Sequence, residues 1–547
     1  MATAKKTKKK TAKKKKASSG EQVLEFTYTL AELPSSQHRA GLAGLWFMVD
    51  WLRTKSSRDE PGICEITDLS AQGLTLKINR LGLEQLFDQV YGADEEARAY
   101  PSPWKNREPL EVTEIKVEKK GKITTKKQYL YPVTIPRGAF LVKWDRSADE
   151  GGKGPWIKLW RDMVWSILRG RPAQRKPFQA QAKGKPSKEA AETWKALTKK
   201  GDALVDLPST YFLGAQAATA EHVAFTDRAR NQLLLQFWPF VAQIYVPVTV
   251  DNEGKHNHQG YAFAVPDVAN LEFFVEDLPE ALAIRSSGDE SEIVGYRPKG
   301  CLVDLSTEAA LDLFLKLKER LAGREAARNT SDLVLGIDVF HMRKDGNNVR
   351  MLGVGRVEPV ESMIDQYSRI RGRYWNHTFR RQRLKNLLAG APWHAGFGPI
   401  FSTHPWSLTI GDKYFKHDVR KAFEVSKMNA ENTDNSPPCL EMILYQMVGA
   451  YISRKVKSKH DLDYEEAKKK GELDTYNKAR EKVARDAFLA SRSRTGGDFV
   501  DFFTSTICSI PQHIKKEEYA VIARALLDPD QIDAIRTLTM LALSARG

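Results

Sequence analysis

A change of pattern at Met428 limits the folds open to this 547-residue chain. Met428-Asn-Ala-Glu-Asn-Thr-Asp-Asn-Ser-Pro-Pro438 is polar and ends on two prolines, which lack an amide donor and hold the preceding residue out of helix. It reads as a linker over residues 428–438. Beyond it, apolar residues recur at three- and four-residue steps, which predicts helices over about 440–456, 476–491, 498–510, 516–527 and 530–546. Asp528-Pro529-Asp530 is the start signal of the last one. Residues 439–547 are therefore expected to form an all-α bundle, large enough to fold by itself.

Ahead of the linker, residues 21–427 mix both periods. Val23-Leu-Glu-Phe-Thr-Tyr-Thr29 reads as a strand, and Leu33-Pro-Ser-Ser36 opens a helix with Leu42, Leu45, Trp46, Val49 and Leu52 on its apolar face. Gly41 and Gly44 lie inside that helix, each costing about 1 kcal/mol relative to alanine, so they predict a neighbouring backbone at close range. A lysine-rich hairpin is expected over 116–127, tipped by Gly121-Lys122, and Trp156, Trp160, Met163, Val164, Ile167 and Leu168 predict a helix with one broad aromatic face. Two further hairpins are expected, one around the polar loop 251–260 and one turning at Asp345-Gly346. The fold class is thus α+β and multi-domain: a mixed α/β N-terminal body with β-hairpins, followed by an all-α C-terminal helical bundle.

Charge is distributed unevenly along this frame. Nine lysines lie between Lys5 and Lys16, so of a formal net charge of +16 the rest of the chain carries +7. Residues 1–20 read as a disordered basic tail, since like charges repel and nothing there builds a core. Such a tail serves solubility, loose contact with polyanions, or a nuclear-import signal. More pointed is the stretch 366–411, 46 residues with no Asp or Glu, seven Arg or Lys and eight aromatic residues. Its first half interleaves Arg369, Arg371, Arg373, Arg380, Arg381 and Arg383 with Tyr374 and Trp375. Guanidinium groups neutralise phosphate, and rings stack on unpaired bases. A solvated helix face normally mixes both signs, so the missing acids favour a bound polyanion over a plain basic helix. A second acid-free stretch, 163–188, carries Arg169, Arg171, Arg175 and Lys176 in a Gly/Pro-containing loop, which suits either a phosphate grip or an ordinary linker.

Enzyme signatures do not assemble. There is no G-x-x-x-x-G-K-[ST] and no H-E-x-x-H, and Gly353-Val-Gly355 lacks the third glycine of a dinucleotide fingerprint. His256-Asn257-His258 spells an HNH tripeptide, but adjacent side chains on extended backbone point alternately and cannot share one metal. His417-Asp418 and His460-Asp461 are isolated pairs read as surface or packing residues. Cys64, Cys301, Cys439 and Cys508 form no C-x-x-C pair, which removes a paired-cysteine zinc site and argues against a secreted disulfide framework. No apolar run reaches the roughly 18–20 residues of a membrane span. The expectation is a cytoplasmic, non-catalytic protein without cofactor or metal, and without membrane partners.

Three segments taken in order point to a family: Leu33-Pro-Ser-Ser-Gln-His-Arg-Ala-Gly-Leu-Ala-Gly-Leu45, Arg169-Gly-Arg-Pro-Ala-Gln-Arg-Lys-Pro177 and Phe499-Val-Asp-Phe-Phe-Thr-Ser-Thr-Ile-Cys-Ser-Ile-Pro511. Together they resemble the large subunit of type I-B CRISPR interference complexes (Cascade), in its Myxococcus-type branch, from about residue 21 to 547. The resemblance implies a non-catalytic subunit at the foot of a crRNA-guided complex. It implies sensing of the short motif flanking the target in double-stranded DNA, help in opening the duplex and stabilising the R-loop, and later recruitment of a helicase-nuclease. Backbone, handle-binding and small subunits are the implied protein partners. The C-terminal bundle is similar to separate small subunits that line the displaced strand, and in this subtype a small subunit is expected from internal translation, with Met428 as the preferred start.

Guide pairing then supplies target specificity, so the protein need only grip backbones and read a few flanking pairs. The arginines of 369–383 are the main expected phosphate contacts, with Tyr374 and Trp375 as stacking platforms, and Arg169, Arg171, Arg175 and Lys176 are a second set. Lys255, Asn257 and Gln259 are candidate readers of the flanking motif, since amides both donate to and accept from groove edges; the alternative is a turn with solvated polar residues. Arg454, Lys455, Lys457, Lys459, Arg492 and Arg494 are candidates for the displaced strand, against a mixed solvated surface. Two other outputs remain open: the same role in a transposon-encoded complex that recruits a transposase, and an RNA-processing enzyme with dispersed catalytic residues.

Overall fold

The structure is a computed structural model and describes residues 22–55, 62–119, 122–147, 154–168, 175–186, 188–199, 203–207, 213, 225–251, 255–287, 293–294, 297–324, 328–346, 348–431, 439–509 and 515–547. The lysine tail, Arg169, Arg171 and the tip of the lysine-rich hairpin lie outside these residues. The chain divides into two compact units, Met1–Ile244 with Phe263–Gly300 and Arg320–Leu352, and Tyr245–Ala262 with Cys301–Glu319 and Gly353–Gly547. The second unit therefore contains the expected bundle together with segments that precede the compositional break.

In the first unit the predicted strand is Val23–Thr29, paired antiparallel with Gly73–Asn79, which Cys64–Ser70 flanks on its other side. The helix opened by Leu33-Pro-Ser-Ser is Ser36–Lys55. Ser35 Oγ accepts the His38 N–H at 3.4 Å, as an N-cap serine does. A Cβ on Gly41 would stand 2.3 Å from the Leu234 carbonyl oxygen, and one on Gly44 2.4 Å from that of Phe237. The two glycines thus allow the close backbone approach that their spacing predicted. The lysine-rich hairpin is built from Glu111–Lys119 and Lys122–Pro136, and Ala93–Tyr100 pairs with the outer side of the longer strand. Helix Pro155–Ser166 buries Trp156, Trp160, Met163 and Val164, and the Trp160 indole N–H donates to the Pro239 carbonyl at 2.9 Å. The acid-free stretch that follows is not all loop. Helix Arg175–Ala182 forms there, with Pro177 tolerated because it stands in the first turn.

In the second unit, residues 248–250 of strand Gln243–Val250 pair antiparallel with His256–His258, and Leu302–Val303 pairs parallel with Val246 and Pro247. The polar loop thus contains a short strand, and the HNH tripeptide is that strand. The helices beyond the break are Leu440–His460, Tyr464–Lys470, Leu473–Arg492, Gly496–Phe502 continued by a π turn to Ile507, Lys516–Leu526 and Pro529–Arg546. Pro529–Arg546 is buried on nearly every side from Ile535 to Ala545, as befits a helix at the centre of a bundle. Leu440–His460, Leu473–Arg492 and Lys413–Glu431 pack around it. Helix Lys413–Glu431 also runs through the first four residues of the expected linker. Asn, Asp and Ser lower helix propensity by tenths of a kcal/mol without forbidding helix, whereas proline forbids it.

Candidate nucleic-acid interface

The six arginines from Arg369 to Arg383 lie on two consecutive helices of the second unit, Glu361–Arg373 and His377–Leu388. The turn between them is fixed by Asp418, which is fully buried and accepts the Trp375 N–H at 2.8 Å and the Asn376 N–H at 2.7 Å. Asn376 Oδ1 in turn caps the second helix by accepting the Phe379 N–H at 2.9 Å. Helical geometry then sorts the arginines. Arg369 and Arg373 stand one turn apart on one face, while Arg371 projects away from it.

The inward group is paired. Arg371 forms an ion pair with Asp312, and Arg380 a two-pronged one with Asp304, whose Nη2–Oδ1 distance is 2.7 Å. Arg381 Nη1 donates to the Asp304 carbonyl at 3.0 Å. Asp304 and Asp312 are 4% and 1% exposed, so these pairs lie in a low-dielectric network. Tyr367 donates its hydroxyl to Glu308 at 3.2 Å, and Tyr245 to Asp312 at 2.9 Å. Burial, reinforced by neighbouring Asp304, pushes Glu308 up to about 7. Burial opposes the charge on Arg380, yet the Asp304 pair outweighs it and raises the guanidinium above its ordinary value. The acids missing from 366–411 are thus supplied by 304–312, and Arg371 and Arg380 hold the fold together.

The outward group is different. Arg369, Arg373 and Lys385 are exposed, and among the described residues no carboxylate pairs with them. Trp375 is 62% exposed and stacks on His417, with ring centroids 4.4 Å apart and planes 5° from parallel. Tyr414 meets Trp375 edge-on at 6.0 Å, and Lys413 lies over the Tyr414 ring at 4.8 Å. His417 Nδ1 is 3.1 Å from Asp418, so one carboxylate anchors both the Trp375 backbone and the His417 imidazole. Tyr374, expected as a second platform, is instead buried at 4% exposure with its ring against Phe379. Sequence reasoning found Trp375 but missed His417 and Tyr414, whose separation from it follows no local period.

The other expected sites are less convergent. In the first unit Arg175 lies over the Trp165 ring at 5.0 Å and Lys176 is exposed. In the polar hairpin, Asn257 donates to Asp251 at 3.1 Å and Gln259 to Thr249 at 3.0 Å, so both amides brace the turn, while Lys255 is exposed. On the bundle, Arg454 and Lys457 line a cleft of about 790 Å³ that Arg480 and Arg546 also reach, neither of which sequence spacing had marked. Lys457 pairs with Asp463 at 3.3 Å, Lys455 lies over Tyr451, and Lys459 is exposed. Arg492 donates to the Ser402 carbonyl at 2.7 Å, and Arg494 to that of Ala490 at 2.6 Å, so both are partly tied to backbone.

Ser35, His38 and Asp227 lie in a row, with 2.8 Å from Ser35 Oγ to Nδ1 and 3.0 Å from Nε2 to Asp227. The serine is occupied as a helix cap and the imidazole is 2% exposed, an arrangement that braces a helix start. Among the described residues, no group of three or more His, Cys, Asp or Glu is placed to hold a metal ion, and no helix is long and apolar enough to cross a membrane.

Comparison with curated proteins gives no match. Comparison with family models gives two, the type I-B CRISPR Cas8b N-terminal domain over residues 63–327 and the type I-B CRISPR Cas8b C-terminal domain over residues 334–546. The two matches follow one another in order along most of the chain, which therefore belongs to the type I-B CRISPR Cas8b family, the large subunit of that complex.

Proposed function

We propose that this large subunit grips nucleic acid at the foot of a crRNA-guided complex, recognises the flanking motif in duplex DNA, stabilises the R-loop and supports recruitment of a helicase-nuclease. The observation that carries this reading is the sorting of one acid-free stretch. Its Arg371 and Arg380 meet buried carboxylates, whereas Arg369, Arg373 and Lys385 are exposed to solvent, and Trp375, in the turn between the two helices, stacks on His417. Cations of that kind bind phosphate by releasing counterions, and a ring pair already stacked, with the Trp375 backbone and the His417 imidazole anchored on Asp418, offers a stacking face to an unpaired base. Lys255, Arg175 and Lys176 are further phosphate contacts in this reading. Arg454 and Lys457, with Arg480 and Arg546, contact the displaced strand.

The test is double charge reversal, Arg369→Glu with Arg373→Glu, in the assembled complex. Target-duplex binding is expected to weaken by at least tenfold, and the slope of log K against log salt to flatten by about one to two. Unchanged affinity and slope would remove this surface from the DNA path.

A further inference from the structure

Arg383 differs from every paired arginine around it. Its Nε is buried without a hydrogen-bond partner, and burial lowers its guanidinium below the ordinary value, opposed by contact with Tyr374 and by the charge of Glu441. Glu441 itself is occupied, accepting the Trp393 indole N–H at 2.7 Å. Arg383 lines a cleft of about 350 Å³ together with Arg369, Arg373, Tyr374, Trp393 and Ser426. Among the described residues that line it, three are arginines and none is acidic. Three cations converging on one hollow repel each other unless an anion enters. The same segment gives Arg371 and Arg380 a carboxylate each, whereas Glu441 is taken up by Trp393 and, among the described residues, no acid lines this cleft, which leaves room for a ligand's charge. The volume lies at the small end of the range of ligand pockets, about 300–1,000 Å³, which fits one nucleotide and not a run of them.

We propose that this cleft receives a single unpaired nucleotide, its phosphate held by Arg369, Arg373 and Arg383 and its base laid against Trp393. The inference rests on the nucleic-acid reading above and adds to it a defined subsite. Guanidinium forks match phosphate oxygens two at a time, and the Trp393 indole, oriented by Glu441, supplies a flat wall. Arg369 and Arg373 are both exposed and cleft-lining, so a strand tracking the surface places one phosphate at the mouth without leaving its path. The chemistry is shared by the guide RNA and by either DNA strand.

The test uses the assembled complex with 5-iodouracil placed at one position at a time, in the guide, the target strand or the displaced strand, followed by photocrosslinking and peptide mapping. The expected result is an adduct at Trp393 or Tyr374 from one position of one strand, which identifies the source. Arg383→Met is expected to cut that yield about tenfold, the effect of losing a charged hydrogen bond to phosphate, while overall target affinity changes much less. Adducts spread over many positions, or none at these two residues, overturn the subsite. If charge reversal at Arg369 and Arg373 still weakens DNA binding in that case, the surface grip stands and only the pocket falls. If it does not, both fall.

Discussion

Arginine residues a few positions apart in this chain do opposite work, and their partners decide which. Arg371 is paired with an aspartate that is 1% exposed, so Arg371→Ala strands a buried charge and is expected to lower unfolding free energy by about 3–5 kcal/mol. Arg369→Ala removes an exposed group and is expected to shift it by no more than about 0.5 kcal/mol. Denaturant midpoints of the two variants check this, and equal midpoints would refute the division. Glu308 gives a pH signature. Burial holds its folded-state value at about 7 against an ordinary 4.5, so the neutral acid favours the fold. Its contribution is complete below pH 4.5 and is lost as pH rises through 7, a swing on the order of 3 kcal/mol. Relative to Glu308→Gln, the wild-type chain is therefore expected to lose stability between pH 5 and pH 8, and parallel melting curves for the two would contradict the buried network. The sequence made the basic stretch legible, because composition is local. It hid the pairing, since Asp304, Glu308 and Asp312 lie some fifty-five to eighty residues upstream of their partners, and it hid the Trp375–His417 stack because those rings too are far apart in sequence.

Elements were readable where local chemistry sets them. Asp528-Pro529 starts a helix because the aspartate accepts the Asp530 N–H and proline suits the first turn. Gly41 and Gly44 marked a close approach because only hydrogen fits there. Gly41→Ala improves helix propensity by about 1 kcal/mol, yet its Cβ meets a backbone oxygen at 2.3 Å, so a net loss of about 1–3 kcal/mol is expected; a gain in melting temperature would show that the helices separate freely. Two elements were misread. Tyr464–Lys470 was missed although Asp463 caps it and Gly471 ends it in the left-handed region at φ 74°, because seven residues carry too little periodicity to register. Helix Lys413–Glu431 passes through Met428 for want of a proline before Pro437. A product started at Met428 would lack residues 413–427, including the buried Phe415, Val419 and Phe423, and would expose the face of Pro529–Arg546 that this helix covers. We propose that such a product is made and finds cover on another subunit. A C-terminal tag is expected to reveal a 120-residue species that Met428→Leu abolishes, and its persistence in that variant would exclude this start.

At the scale of the whole chain, composition announced an α+β protein with a helical C-terminal part, and that is the architecture. The partition into units was not legible, because segments 245–262 and 301–319 join the second unit from within the sequence span of the first. Contacts between distant segments carry no signature in a linear pattern. Membership of the type I-B large-subunit family is fixed by the two consecutive domain matches, and the claim that depends on it is that this chain works on a guide. Sequencing the RNA that co-purifies with the tagged, full-length chain from its native cells tests that claim most directly. Short RNAs of uniform length with one shared, repeat-derived 5′ end are the predicted result; RNA of mixed length and origin, or no RNA at all, would contradict it.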